Sequence, residues 1–91
     1  MTQEDLDRCR AELDKIDAEL VRLMSSRLEL GLEAARIKRD LGIPITDPGR
    51  ESKVIDQART WALTANLSQD EVEEIFTRLI ALSRNSQRGS R

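Results

Sequence analysis

Three observations predict an all-α fold with three helices per chain, the first of them very long. Apolar residues recur at alternating spacings of three and four along most of the chain, which is the period of a helix face. Helix-stopping and helix-starting residues separate these runs near positions 42–48 and 66–71. Aromatic residues, which strands draw on, are only two in 91, Trp61 and Phe76.

In the first run the apolar positions are Leu6, Cys9, Leu13, Ile16, Leu20, Leu23, Leu30, Ala34, Ile37 and Leu41. The rhythm is unbroken if position 27 is counted as a member. No proline interrupts it, and Gly42 followed by Ile43-Pro44 marks its end. A helix over residues 5–41 would be about 55 Å long, whereas a compact chain of this size has a radius of gyration of about 12 Å. The rest of the chain cannot cover such a seam, so a partner chain is expected to.

The second helix starts from Asp47-Pro48. Asp47 suits the cap and Pro48 the first helical position, where a missing N–H costs nothing. Its buried stripe is expected at Val54, Ala58, Trp61 and Ala65, widened by Ile55 and Ala62, and Asn66-Leu67 ends it. Ser68-Gln69-Asp70-Glu71 reads as a capping box for the third helix, whose stripe is Val72, Ile75, Phe76, Leu79 and Ile80. From Arg84 to Arg91 there is no apolar residue, and a tail fraying from Gly89 is expected. The whole chain, 1–91, reads as one domain.

Charged residues make up 35% and apolar ones 38%, and 15 basic against 17 acidic side chains leave a net charge of −2. They are spread along the chain, and neither a nucleic-acid nor a membrane surface is suggested. No apolar run approaches the roughly 20 residues that span a bilayer, and no signal-peptide pattern is present, so a cytoplasmic protein is expected. Cys9 stands alone; it falls on the apolar stripe and is expected to be a buried, inert thiol. Histidine and tyrosine are absent, which removes the commonest general base and the usual phenolic acid.

The informative residues are polar ones on apolar stripes. Arg27 occupies a seam position, and Lys38, 11 residues on, lies about 20° round the helix from it, so both point one way. Ser83 and Gln87 continue the line of Val72, Phe76 and Ile80 on the third helix. Arg50 and Glu51 follow the Asp47-Pro48-Gly49 turn into the first turn of the second helix, where Glu51 complements the helix dipole and Arg50 does not. Singly, each has a structural explanation: a snorkelling seam arginine, a solvated lysine, a tolerated serine. Together they describe a pocket, because a bundle cannot bury Arg27 and Lys38 uncompensated without losing several kcal/mol. Two or three cations with a glutamine, a serine and a glutamate suit a small dianion that carries a hydroxyl. Without a nucleophile–base pair or metal ligands, and with no cofactor expected, the chemistry open to the pocket is a unimolecular rearrangement. The pocket would restrain a flexible anion and stabilise charge as it develops.

Over nearly its whole length the chain resembles the all-helical chorismate mutases. The resemblance is carried by Arg10 with the run LDKIDAELVRLMSSRLELGLEAARIK, by IPITDPGRE, and by LSRNSQ near the C-terminus. Arg10, Arg27, Lys38, Asp47, Arg50, Glu51, Ser83 and Gln87 match the family's active-site pattern in order and spacing, without a gap. The resemblance implies a Claisen rearrangement of chorismate to prephenate on the way to phenylalanine and tyrosine. It also implies an intertwined homodimer whose two sites are shared, each receiving Arg10 from the other subunit. Arg27 and that Arg10 would grip the two carboxylates, and Lys38 and Gln87 would donate to the ether oxygen. Glu51, with the backbone at Asp47, would hold the ring hydroxyl, and Arg50 and Ser83 would complete the carboxylate shell. Sibling enzymes of the same fold eliminate pyruvate from isochorismate or act on the 4-amino analogue of chorismate; Glu51 favours chorismate, since the siblings tend to lack an acid there. A helical dimerisation module without catalysis is the alternative of another class, and would break the stripes at scattered positions rather than at this full set.

Overall fold

A computed structural model describes residues 1–89 of the chain, with side chains as far as Gln87. It contains α1 (Gln3–Leu41), α2 (Pro48–Thr64) and α3 (Gln69–Gly89). α1 sets the long axis of a body measuring 60 × 27 × 15 Å, and the radius of gyration is 17.0 Å, well above that of a compact chain of this length. α3 is the element on which both α1 and α2 pack. It continues through Arg84 to Gly89; positions 90 and 91 of the expected fraying tail lie outside the described residues.

The helix ends follow from local chemistry. α1 begins two residues before the expected start because Thr2 and Asp5 close a capping box. The Asp5 N–H donates to the Thr2 hydroxyl at 3.2 Å and the Thr2 N–H to the Asp5 carboxylate at 2.8 Å. At its other end Gly42 takes the left-handed conformation, φ 70°, and its N–H and that of Ile43 donate to the carbonyls of Arg39 and Lys38. α2 is capped by Asp47, whose carboxylate accepts the Arg50 N–H at 3.0 Å. α2 closes with Asn66 at φ 61°, the N–H groups of Asn66 and Leu67 returning to Leu63 and Ala62. The Ser68 hydroxyl then accepts the Glu71 N–H at 3.2 Å to open α3.

α2 meets α3 through Ala58 and Ala62, both buried, with Val54 and Ile55 half-buried. Trp61, expected in this stripe, is 59% exposed, and Ala65 is exposed too. The contact follows an i, i+4 row through positions 54, 58 and 62, and Trp61 stands about 100° away from Ala62. Arg59 ties the two helices at their far end, donating to Asp70 at 2.9 Å and to Glu73 at 3.2 Å.

Within the single chain α1 is half-packed. Every residue from 6 to 25 is exposed. The seam residues Leu13, Ile16, Leu20, Leu23 and Leu30 are 50–65% exposed, and Cys9, expected to be buried, is exposed with them. Only three residues among those described are buried, all of them alanines: Ala35, Ala58 and Ala62.

Candidate active site

Where α1 and α2 diverge over α3, a cleft of about 330 Å³ opens, and seven of the eight sequence-derived site residues line it. The C-terminal half of α1 supplies Arg27 and Lys38, one on each side of Gly31 and Ala34. The connecting loop supplies Asp47 beside Ile45 and Thr46. The first turn of α2 supplies Arg50 and Glu51, and α3 supplies Ser83 and Gln87. Leu30, Val54 and Ile80 form the apolar wall. Arg10 does not line it. Along α1 it stands about 26 Å from Arg27 and about 42 Å from Lys38 at 1.5 Å per residue.

The caps aim these side chains. The reversal at Gly42 folds the loop back along α1, so that Lys38 Nζ donates to the Ile45 carbonyl at 3.0 Å. The Asp47–Pro48 start of α2 brings Arg50 and Glu51 to the rim within one turn, and the Glu51 N–H donates to the Asp47 carbonyl at 3.0 Å. α3 lies close enough to α1 for Gln87 Nε2 to donate to the Gly31 carbonyl at 3.3 Å and for an Arg27 guanidinium nitrogen to donate to Ser83 Oγ at 3.2 Å.

The sequence reading missed Arg84. It lines the same cleft and forms a two-point ion pair with Glu51: Nε donates to one carboxylate oxygen at 3.0 Å and a terminal nitrogen to the other. This bond to Glu51, reinforced by its charge, raises the Arg84 pKa above the ordinary arginine value. The signal was available, because Ile80, Arg84 and Gln87 stand at i, i+4 and i+7 on one helix face.

The electrostatics favour an anion. Four cations, Arg27, Lys38, Arg50 and Arg84, face two carboxylates, Asp47 and Glu51, leaving an excess of two positive charges. Glu51 is taken by Arg84, and no described carboxylate forms an ion pair with Arg27, Lys38 or Arg50. Arg27, Lys38, Glu51, Ser83 and Gln87 are half-buried, so their charges and dipoles act through a medium less screening than water. The Ser83 hydroxyl has a guanidinium beside it rather than a base, an arrangement that orients a hydroxyl without activating it as a nucleophile. A second cleft of about 470 Å³ shares Glu51, Ile80 and Arg84 with the first but adds no further cation.

A family model described as chorismate mutase type II matches residues 9–88. Two relatives are similar over most of both chains. A 4-amino-4-deoxychorismate mutase of Streptomyces venezuelae is 36% identical over 78 residues, 86% of this chain and 76% of that one. A chorismate mutase of Methanocaldococcus jannaschii is 36% identical over 77 residues, 85% of this chain and 78% of that one. The T-protein of Haemophilus influenzae is 35% identical over 77 residues, and here the chain spans only 20% of its relative's length. No solved structure matches. The three-helix architecture and a match over nearly nine-tenths of the sequence agree: the chain belongs to the chorismate mutase type II family.

Proposed function

We propose that the protein rearranges chorismate to prephenate, and that it does so as an intertwined homodimer acting as one domain per chain, in the cytoplasm. The observation that carries this reading is the convergence of Arg27, Lys38, Asp47, Arg50, Glu51, Ser83 and Gln87 on one cleft with an excess of two positive charges. The substrate is a dianion with one ring hydroxyl. In the rearrangement one C–O bond breaks as one C–C bond forms, and no proton or leaving group is exchanged, so the protein's contribution is geometry and charge.

Arg27 binds one carboxylate, supported by Ser83 and Arg50, and the partner subunit's Arg10 binds the other. Lys38 and Gln87 donate to the ether oxygen, on which negative charge grows as the C–O bond lengthens. Glu51 accepts from the ring hydroxyl, and the backbone at Asp47 helps to hold it. The dimer is supported by the exposed seam of α1, since fully burying a leucine or isoleucine side chain contributes roughly 1.5–3 kcal/mol and the seam holds many. The 39-residue length of α1 supports it too, as it puts Arg10 beyond reach of its own chain's cleft.

A second reading has the similarity to the Streptomyces venezuelae 4-amino-4-deoxychorismate mutase in its favour. Incubating the protein separately with chorismate, isochorismate and 4-amino-4-deoxychorismate and identifying the products decides between them. Prephenate from chorismate at the highest kcat/KM is expected. Pyruvate from isochorismate, or turnover of the amine alone, would overturn the assignment.

A further inference from the structure

Arg84 is the one cationic side chain of the cleft to which the substrate roles above give no task. It reaches across from α3 to α2 and holds both oxygens of Glu51, with 46% of its own side chain and 25% of the Glu51 side chain exposed. Glu51 is the group assigned to the ring substituent, so whatever sits on the ring at that position meets the pair rather than a bare carboxylate.

The pair distinguishes substituents by charge. A carboxylate offers about four lone-pair directions over its two oxygens, and the guanidinium fork uses one on each. Acceptor capacity therefore remains for a neutral hydroxyl. An ammonium gains from a bare carboxylate mainly by charge, and a guanidinium within the ~4–6 Å over which neighbouring charges act opposes it. The whole cleft points the same way, since its excess of two positive charges matches a dianion with a hydroxyl better than the amine, whose ammonium leaves a net charge of one.

We propose that Arg84, acting through Glu51, makes this cleft select a ring hydroxyl over a ring amine. Arg84 is thus a specificity-determining positioning residue, and the assignment rests on the chorismate reading of the same cleft. Two other roles are separable. Loss of a pair that only joins α2 to α3 would alter stability without altering preference, and loss of an arginine that gripped a substrate carboxylate directly would raise KM equally for both compounds.

The test measures kcat and KM for chorismate and 4-amino-4-deoxychorismate in the wild-type protein, Arg84→Gln, Arg84→Lys, Glu51→Gln and the Arg84→Gln/Glu51→Gln double variant, each checked by far-UV circular dichroism. The wild type should prefer chorismate. Arg84→Gln should lower the ratio of the two kcat/KM values roughly tenfold, chiefly through a lower KM for the amine, and Arg84→Lys should restore most of it. In the Glu51→Gln background, removing Arg84 should change the ratio less than about twofold, because its route of action is gone. If Arg84→Gln does not fold, Arg84→Met, which keeps the apolar stem, reads the same ratio. A wild type that prefers the amine, an unchanged ratio without Arg84, or an equal fall in the Glu51→Gln background overturns the proposal. Wild-type rearrangement of chorismate with an Arg84-independent ratio overturns this proposal alone, whereas turnover of neither compound removes the underlying reading as well.

Discussion

Lys38 and Gln87 each rest on a backbone carbonyl, those of Ile45 and Gly31, at 3.0 and 3.3 Å. An ammonium has three N–H donors, so the Ile45 contact fixes Lys38 in place while leaving donors for a ligand. Losing a donor aimed at developing charge typically costs about 10²–10³ in rate. Lys38→Ala should therefore lower kcat/KM for chorismate at least a hundredfold with an unchanged far-UV spectrum, and near-normal turnover would reject the ether-oxygen role. Gln87→Glu should work only while its new carboxyl is protonated, so activity should rise toward the ordinary glutamate pKa of about 4.3. A flat profile with full activity at pH 8 would place Gln87 elsewhere. At this scale most of the polar lining of the candidate cleft was legible, since a polar residue on an apolar stripe is visible as a broken period. Arg84 was missed although it shares a helix face with Ile80 and Gln87, because the stripe was continued through Ser83 and the segment from Arg84 read as a tail. What makes it part of the site is its bond to Glu51, 33 positions earlier, a separation that helical spacing does not encode.

At the scale of the helices, the caps were the most readable features, because they depend on neighbours in sequence. Gly42, Asp47-Pro48, Asn66 and Ser68 all act where they were expected. At Ser68 only half of the expected capping box forms, its hydroxyl accepting the Glu71 N–H without a return bond to the Glu71 side chain. The Thr2–Asp5 box was missed because Asp stands where Glu or Gln is usual. The stripe of α2 was drawn one position off at Trp61, since which of several apolar neighbours faces α3 depends on the crossing of the two helices rather than on period alone. Arg27 is the defect in α1 that period did reveal. It is half-buried, with the Ser83 hydroxyl as its hydrogen-bond partner and no described carboxylate in an ion pair with it. A cation kept for a ligand is a liability to the empty fold. Arg27→Leu should restore the apolar period, give a midpoint in urea equal to or above that of the wild type, and abolish turnover. A loss of several kcal/mol on urea denaturation would make Arg27 a structural residue instead.

For the whole molecule, the proposed dimer rests on three features of the single chain: a 39-residue helix in which residues 6–25 are all exposed, three alanines as the only buried residues among those described, and a cleft that one of the eight matched residues, Arg10, does not line. The sequence pointed to a partner chain through helix length alone, but how two copies would cross is a matter of packing between chains that no period in one chain fixes. If two α1 helices run antiparallel, Arg10 of each chain comes to the Arg27–Lys38 region of the other, and two-fold symmetry gives two equivalent sites. Sharing of the site is the central claim, and subunit complementation tests it most directly. Arg10→Ala and Arg27→Ala homodimers should each be nearly inactive, because every site then lacks one carboxylate anchor. Unfolding the two variants together and refolding them gives heterodimers in which one site has lost both arginines and the other keeps both. Recovery of activity, up to about half the wild-type value per heterodimer, is the expected result. No recovery, with heterodimers shown to have formed, would mean that Arg10 serves its own chain or no site at all, and would contradict the account.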